Sequence, residues 1–368
     1  MNILITGSEG FIGKNIVYHL DKIKTFNISS FNSNDSLSSL YSKVKNADLV
    51  IHLAGVNRPA DESEFNIVNA NLTSLLCENI LKTRRLIPII FSSSIQASED
   101  NLYGKSKLEA EEILKNFSKK IGNPVLVYRL PNIFGKWCKP NYNSVVATYC
   151  YNIANNNPIK INDKSKILRL VYVDDLVSDF IKVIKTNISG LNYVTVNPEY
   201  SISLKELACQ IYAFKNSREN LITEQVGTGL VRALYSTYLS YLPPKQFSYL
   251  LDSIKDERGA FVEMLKTRDS GQFSYFTAHP GVTRGGHYHH SKSEKFLVIN
   301  GNAKFRFRNI VTNEKYELVT SGSEPRVVES SPGWAHDITN IGSDEMIVML
   351  WANEIFNVLD PDTEAYEV

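Results

Sequence analysis

Four short apolar runs, Ile3-Leu4-Ile5, Leu49-Val50-Ile51-His52-Leu53, Ile87-Pro88-Ile89-Ile90-Phe91 and Val125-Leu126-Val127-Tyr128, constrain the chain more than any other feature. A strand with one wet face alternates apolar and polar residues. A nearly continuous run must be covered on both faces, as in a parallel sheet between two layers of helices. The intervening segments have the matching period: Phe11, Ile12, Ile16, Val17 and Leu20 share one helical face, and Leu108, Ile113, Leu114 and Phe117 point inward from a helix predicted over 103–121. Alternation of the two predicts a doubly wound α/β fold. Segments 169–177 and 203–214 add a strand and helices at the carboxyl edge of its sheet, where such folds bind ligands.

The texture changes after the proline pair in Tyr241-Leu242-Pro243-Pro244. From Gly259 onward, 273–277, 295–299, 303–308 and 346–351 read as strands between Gly, Asn and Ser turns with little helix signal, which predicts an antiparallel barrel or jelly roll. Two domains are expected, 1–245 and 246–368, since 368 residues exceed what one core usually supports.

Composition excludes several classes. Lysine plus arginine (40) balances aspartate plus glutamate (39), so there is no broad basic surface to neutralise a nucleic-acid backbone, and no nucleic-acid partner is expected. Cys77, Cys138, Cys150 and Cys209 form no C-x-x-C pair; reduced thiols are expected rather than a disulfide framework or cysteine zinc site. No apolar stretch approaches membrane-spanning length, and the second residue already enters a strand-like run with no basic region or cleavage site before it. A soluble, cytoplasmic protein without membrane contact is expected.

Gly7-x-x-Gly10-x-x-Gly13 directly follows the first strand and opens a helix, a turn that lets backbone approach closely and aims amide hydrogens at a diphosphate. Tyr103 and Lys107 are four apart and share a helical face, where the ammonium is expected to favour the phenolate and lower the tyrosine pKa. Phe91-Ser92-Ser93-Ser94 ends a buried strand, so a hydroxyl can face the carbonyl that Tyr103 protonates.

At these residues the chain resembles the extended short-chain dehydrogenase/reductases that work on nucleotide sugars, over residues 1 to about 245, which implies a Rossmann-type domain. The family's catalytic residues map onto Ser94, Tyr103 and Lys107, with Ser93 the fallback for the first. Its cofactor-lining residues map onto Gly7, Gly10, Phe11, Ile12, Gly13, Asp48, Leu53, Ala54 and Gly55. Pro131-Asn132-Ile133-Phe134-Gly135 matches the loop beside nicotinamide and sugar, and Arg169 with Val173-Asp174 matches the closing segment, so Asn132 and Arg169 are candidate substrate contacts. The second strand ends Ser29-Ser30-Phe31-Asn32, with no acid to hold a ribose 2′-hydroxyl, which favours NADPH over NADH; no arginine stands beside it to clamp a 2′-phosphate.

The carboxyl-terminal half carries a different chemistry. Gly281, His287-x-His289, Glu294 and Gly301 are followed by Pro332-Gly333-Trp334-Ala335-His336, and the three imidazoles with the carboxylate can close on one divalent ion. The spacing resembles the two cupin motifs, including Asn340 after His336, which implies a cupin jelly roll with a metal, zinc above others, on His287, His289, Glu294 and His336. The second motif departs in having Pro332 directly before Gly333. Asp256-Glu257-Arg258-Gly259-Ala260-Phe261-Val262-Glu263 and Arg284-Gly285-Gly286-His287 also resemble the nucleotide-sugar 3,5-epimerases, in which the histidine after Arg-Gly is a general base and no metal is needed. The two inheritances conflict at His287. The complete His-x-His and Glu spacing favours a ligand, leaving His290, Lys292 or Asp337 as base. Arg258 and Arg284 are candidates for a substrate carbonyl or diphosphate, or for structural ion pairs.

A sugar carbon loses its hydrogen readily only beside a carbonyl, where a cation can spread the enolate charge. Epimerisation therefore needs a keto-sugar, and hydride transfer from NADPH to that carbonyl fixes the new centre, so the barrel must act first. This pairing resembles bifunctional enzymes of capsular polysaccharide precursor synthesis, which implies a UDP-linked 4-keto-6-deoxy amino sugar as substrate and a homodimer as assembly. A cupin iron oxygenase fused to a reductase and a non-catalytic NADPH or sugar sensor are the alternative readings.

Overall fold

The structure is a computed structural model and describes all residues except 59–60 and 62–64. Two compact units are present: Met1–Ile211 with Arg232–Leu242, and Tyr212–Val231 with Pro243–Val368. Residues Tyr212–Val231 thus group with the second unit, ahead of the boundary expected near 245. The reason is backbone pairing. Ile222 bridges Lys266, Thr223 N donates to Lys266 O at 2.7 Å, and Lys266 N donates to Leu221 O at 2.7 Å, so this segment adds an edge to the second unit.

Through residue 242 the elements are β1 (Asn2–Thr6), α1 (Phe11–Leu20), β2 (Asn27–Phe31), α2 (Ser39–Asn46), β3 (Leu49–His52), α3 (Leu72–Thr83), β4 (Ile89–Ser94), α4 (Leu102–Ile121), β5 (Val125–Leu130), β6 (Asn132–Phe134), α5 (Val145–Ala154), β7 (Ile167–Tyr172), α6 (Val173–Ile184), β8 (Leu191–Val194), β9 (Tyr200–Ser203), α7 (Leu204–Asn220) and α8 (Gly229–Leu239). Six strands form a parallel sheet in the order β2-β1-β3-β4-β5-β8. Their side chains alternate between two apolar layers. Ile3, Ile5, Ile51 and Ile90 pack against Ile16 and Leu20 of α1 and Phe180 of α6; Leu4, Val50, Ile89 and Phe91 pack against Val44, Leu76, Ile80 and Leu114 of α2, α3 and α4. That two-sided burial is why the runs carry no polar alternate, and each large side chain so buried contributes roughly 1.5–3 kcal/mol. A second, three-stranded sheet has the order β6-β7-β9.

Helix α4 corrects the sequence reading. Leu108, expected inward, is exposed, and the buried stripe runs through Gly104, Lys107, Glu111, Leu114 and Ser118. The spacing is helical, but a reading that follows apolar residues alone cannot see a buried face carrying lysine and glutamate.

The second unit continues with β10 (Ser253–Asp256), β11 (Gly259–Thr267), β12 (Gly271–Ala278), β13 (Thr283–Tyr288), β14 (Glu294–Asn300), β15 (Asn302–Asn309), β16 (Lys315–Ser321), β17 (Val327–Ser330), β18 (Trp334–Asn340), β19 (Met346–Ala352) and β20 (Glu364–Ala365). Two sheets, β10-β11-β12-β19-β14-β17 and β16-β15-β18-β13-β20, pair antiparallel throughout. Phe276, Phe296, Val298, Met346 and Val348 of the first meet Phe305, Phe307 and Ile338 of the second in one apolar core. The expected order, a doubly wound parallel fold followed by an all-antiparallel one, is what the chain forms. Among the described residues no helix is long and apolar enough to cross a membrane.

Candidate active sites

In the first unit, the carboxyl ends of β1 and β3 face each other across the glycine turn. Gly7 has φ +73°, and a Cβ there would lie 2.8 Å from Ala54 Cα; one on Gly13 would lie 2.3 Å from Gly7 O. Thr6 Oγ1 accepts from Ala54 N at 3.2 Å, tying Leu53-Ala54-Gly55 to the turn. Helix α1 opens at Phe11 behind Gly10, so the first-turn amides of Phe11, Ile12 and Gly13 carry no side-chain cap. A close-packed glycine cradle with free amides at a helix start fits a dinucleotide diphosphate. At the end of β2, Asn32 Oδ1 accepts from Ser8 Oγ at 3.0 Å, and Lys43 Nζ from α2 donates to Ser30 O at 2.5 Å while pairing with Asp35 at 3.2 Å. Lys43 thus stands beside the end of β2 as an ion pair with Asp35.

Asp48 requires a correction. It lies at the amino end of β3, the opposite edge of the sheet from Gly7, where it accepts from Asn2 N at 2.7 Å and pairs with Arg85 at 3.2 Å. Its place before the strand makes it a structural anchor and keeps it from the glycine cradle.

The Ser, Tyr and Lys converge because α4 packs on the end of β4. A Cβ on Gly104 would lie 2.1 Å from Gln96 O, so glycine alone allows this approach. Burial raises the Tyr103 phenol above its usual pKa, and a hydrogen bond with Ser94 opposes the shift. The expected lowering by Lys107 is therefore not the dominant effect. The ammonium instead donates to Ser92 O at 3.0 Å; burial pushes its pKa down to about 8, opposed by the charge of Glu111. A Cβ on Gly55 would lie 3.0 Å from Lys107 Nζ, which joins the lysine to the cradle. Ser93, the alternative serine, donates to buried Glu111 and is thereby occupied. A cavity of about 350 Å³ opens at Tyr103, lined also by Asn57, Arg58, Phe65, Gln96 and Asn143. No motif marks these residues in the sequence, although Asn57 and Arg58 lie just past the Leu53-Ala54-Gly55 turn.

Asn132 and Arg169 meet through the β6–β7 pairing, with Asn132 Nδ2 donating to Arg169 O at 3.3 Å. The Arg169 guanidinium is taken by Glu199, Nη2 to Oε2 at 2.9 Å.

In the second unit, β13, β14 and β18 bring His287, His289, Glu294 and His336 together, one ligand atom of each lying within 4.8 Å of every other. Glu294 Oε2 is 3.2 Å from both His289 Nε2 and His336 Nε2. His289 Nδ1 is hydrogen-bonded to the Asp362 carbonyl, which assigns the proton to Nδ1 and leaves the Nε2 lone pair facing the carboxylate. Lone pairs converging on a carboxylate oxygen repel unless a proton or cation lies among them, so the donor set fits a divalent ion. The His287 pKa is lowered to about 4, first by burial and then by the His336 imidazole.

A separate cavity in this unit is lined by His287, Glu294 and His336 together with Phe261, Phe276 and Arg284. Arg284 Nε donates to Thr277 O at 2.8 Å and its guanidinium lies 5.5 Å over Phe276. Arg258 is spent on Asp256, at 3.0 Å, outside the cavity lining. Of the three base candidates, His290 is exposed, Lys292 Nζ donates to Thr363 Oγ1 at 3.1 Å, and Asp337 accepts from Arg306 Nε at 3.0 Å. Asp362, which the sequence reading passed over, accepts from the backbone N–H groups of His290, Ser291 and Lys292 at 2.7 Å each.

Residues 3–197 match the NAD dependent epimerase/dehydratase family, and residues 254–364 match the Polysaccharide biosynthesis C-terminal domain. The chain belongs to the NAD dependent epimerase/dehydratase family, whose members use a nicotinamide cofactor. A protein of Pseudomonas aeruginosa described as UDP-2-acetamido-2,6-beta-L-arabino-hexul-4-ose reductase is 54% identical over 368 residues, covering 100% of this chain and 99% of that one. The crystal structure of the capsular polysaccharide assembling protein CapF from Staphylococcus aureus superposes with a TM-score of 0.92 at 42% identity over 100% of both chains. A UDP-glucuronic acid 4-epimerase from Bacillus cereus, 19% identical over 59% of this chain and 83% of its own with a TM-score of 0.53, shares the fold alone.

Proposed function

We propose that the chain is a bifunctional enzyme of capsular polysaccharide precursor synthesis. Its substrate is a UDP-2-acetamido-2,6-dideoxy-4-hexulose, which the domain of residues 246–368 epimerises at C3 and the domain of residues 1–245 reduces at C4 with NADPH, giving UDP-N-acetyl-6-deoxy-L-talosamine. The observation that carries this reading is the pair of converged side-chain sets, Ser94 with Tyr103 and Lys107, and three imidazoles with Glu294. The full-length likeness to a reductase of a UDP-linked hexulose supports it.

The cradle of Gly7, Gly10, Gly13, Leu53, Ala54 and Gly55, with the first amides of α1, would hold the dinucleotide, which supplies the hydride. Lys43 beside the end of β2 favours the 2′-phosphate form. Burial keeps Tyr103 protonated at neutral pH, the form that gives its proton to the ketone oxygen. Ser94 hydrogen-bonds the same oxygen, and Lys107, cationic below about 8, offsets the phenolate left behind. In the barrel a base removes the C3 hydrogen and a proton returns on the opposite face. His287, His289, Glu294 and His336 would hold a divalent ion, zinc by its ligand set, which would supply positive charge at the ketone oxygen. Arg284 adds a cation at the cavity wall. Reduction removes the ketone and with it the acidity at C3, so epimerisation comes first.

The test uses the keto-sugar in deuterated water without NADPH. Exchange at C3 is expected to survive Tyr103→Phe and to disappear in His336→Ala, while NADPH oxidation needs Tyr103. Exchange that requires Tyr103 would defeat this division of labour.

A further inference from the structure

Helix α4 presents three residues, Tyr103, Lys107 and Glu111, spaced one turn apart, and the last three residues of β4 each answer one of them. Ser94 stands close enough to the Tyr103 phenol to draw its pKa down, the Ser92 carbonyl accepts from Lys107 Nζ at 3.0 Å, and Ser93 Oγ donates to the Glu111 carboxylate. Glu111 is fully buried and lies outside the catalytic set. Three further donors saturate it: Arg129 on β5, through Nε at 3.0 Å to Oε1 and Nη2 at 2.7 Å to Oε2, and Tyr193 on β8 at 3.2 Å. Ser93 and Arg129 are direct partners in the β4–β5 register, so the carboxylate bolts one helix to two adjacent strands.

We propose that Glu111 is a positioning residue for reduction: by fixing the end of β4 against α4 it sets the Ser92 carbonyl on Lys107 and the Ser94 hydroxyl on Tyr103. A carboxylate that only stabilised the fold could sit anywhere along the helix–sheet contact. Here it grips the residue between the two that hold the catalytic groups, and a shift of about 1 Å at such a contact can cost as much as a hundredfold in rate. Its charge also acts on Lys107. The titratable groups that act on the ammonium are Glu111 from α4 and neutral His52 from β3, with Arg129 and Tyr193 beyond the carboxylate; Glu111 is the anion among them and opposes the loss of the Lys107 proton.

This inference rests on the Ser94, Tyr103 and Lys107 reading, and the test separates the two. NADPH oxidation with the UDP-linked 4-keto sugar is followed against pH in the full chain for Tyr103→Phe, Glu111→Gln, Glu111→Asp and Ser93→Ala, alongside the melting temperature of each. Glu111→Gln should lower kcat at least tenfold and move the alkaline limb to lower pH by about one unit, because Lys107 loses its nearest anion; Glu111→Asp should restore the limb. Ser93→Ala, which spares the ion pair, should lower kcat severalfold without moving the limb, and it decides the matter if Glu111→Gln does not fold. A purely structural Glu111 would lower the melting temperature alone. Wild-type kcat and limb in folded Glu111→Gln, or wild-type kcat in Ser93→Ala, would overturn the proposal; a fully active Tyr103→Phe would instead overturn the site reading beneath it.

Discussion

Lys107 is the residue whose environment most changes its chemistry. Burial brings its pKa from the ordinary lysine range to about 8, so the folded protein holds it cationic below that pH and neutral above. On the proposed role of the cation, offsetting the Tyr103 phenolate, the kcat for reduction should fall as pH rises through about 8. Lys107→Arg, which stays charged throughout, should move that decline to higher pH at a lower plateau; an unchanged limb in the pH profile would remove Lys107 from the proton step. Residue identities at this site were legible because Tyr and Lys four apart on a helix must share a face. Two things were not. Ser94 is preferred over Ser93 on the resemblance alone, and only the fold brings Glu111, eighteen residues on, to Ser93; Asp48 reads as local to the cofactor, yet its strand end is the opposite one.

At the scale of elements, β13, the strand that carries the proposed metal ligand His287, is held by the tail. β20 pairs with it at His287 and Tyr288, Tyr366 N donates to Gly286 O at 2.9 Å, and Asp362 caps three successive amides while its carbonyl orients His289. Groups that orient a ligating histidine typically contribute ten- to a hundredfold to metal affinity. Asp362→Ala should therefore release zinc to a chelator about tenfold faster than the unaltered chain, with Asp362→Asn in between; equal release rates would reduce the tail to a passive edge. No sequence period announces such a strap, because its effect comes from one carbonyl and one carboxylate that meet β13 only after the barrel closes. The long strands, by contrast, were legible: β1, β3, β4 and β5 are buried on both faces, and burial on both faces leaves a continuous apolar record.

For the whole molecule, the two chemistries proposed for one chain predict separable losses. Stripping the metal with a chelator should abolish deuterium exchange at C3, yet leave NADPH oxidation intact when the already epimerised ketone is supplied; loss of both together would mean that the chain carries one reaction rather than two. The sequence by itself determined the two fold classes, the glycine turn, the Tyr-Lys pair and the four candidate metal ligands, since each depends on spacing within a strand, turn or helix, or on residue types that few other environments tolerate. Only the tertiary structure decided which serine Glu111 engages, where Asp48 faces, that Leu108 is exposed while Lys107 and Glu111 are buried, and that 212–231 joins the second unit. Those outcomes depend on which surfaces meet across long separations in the chain, and a buried polar residue is stable only beside partners that local spacing does not name.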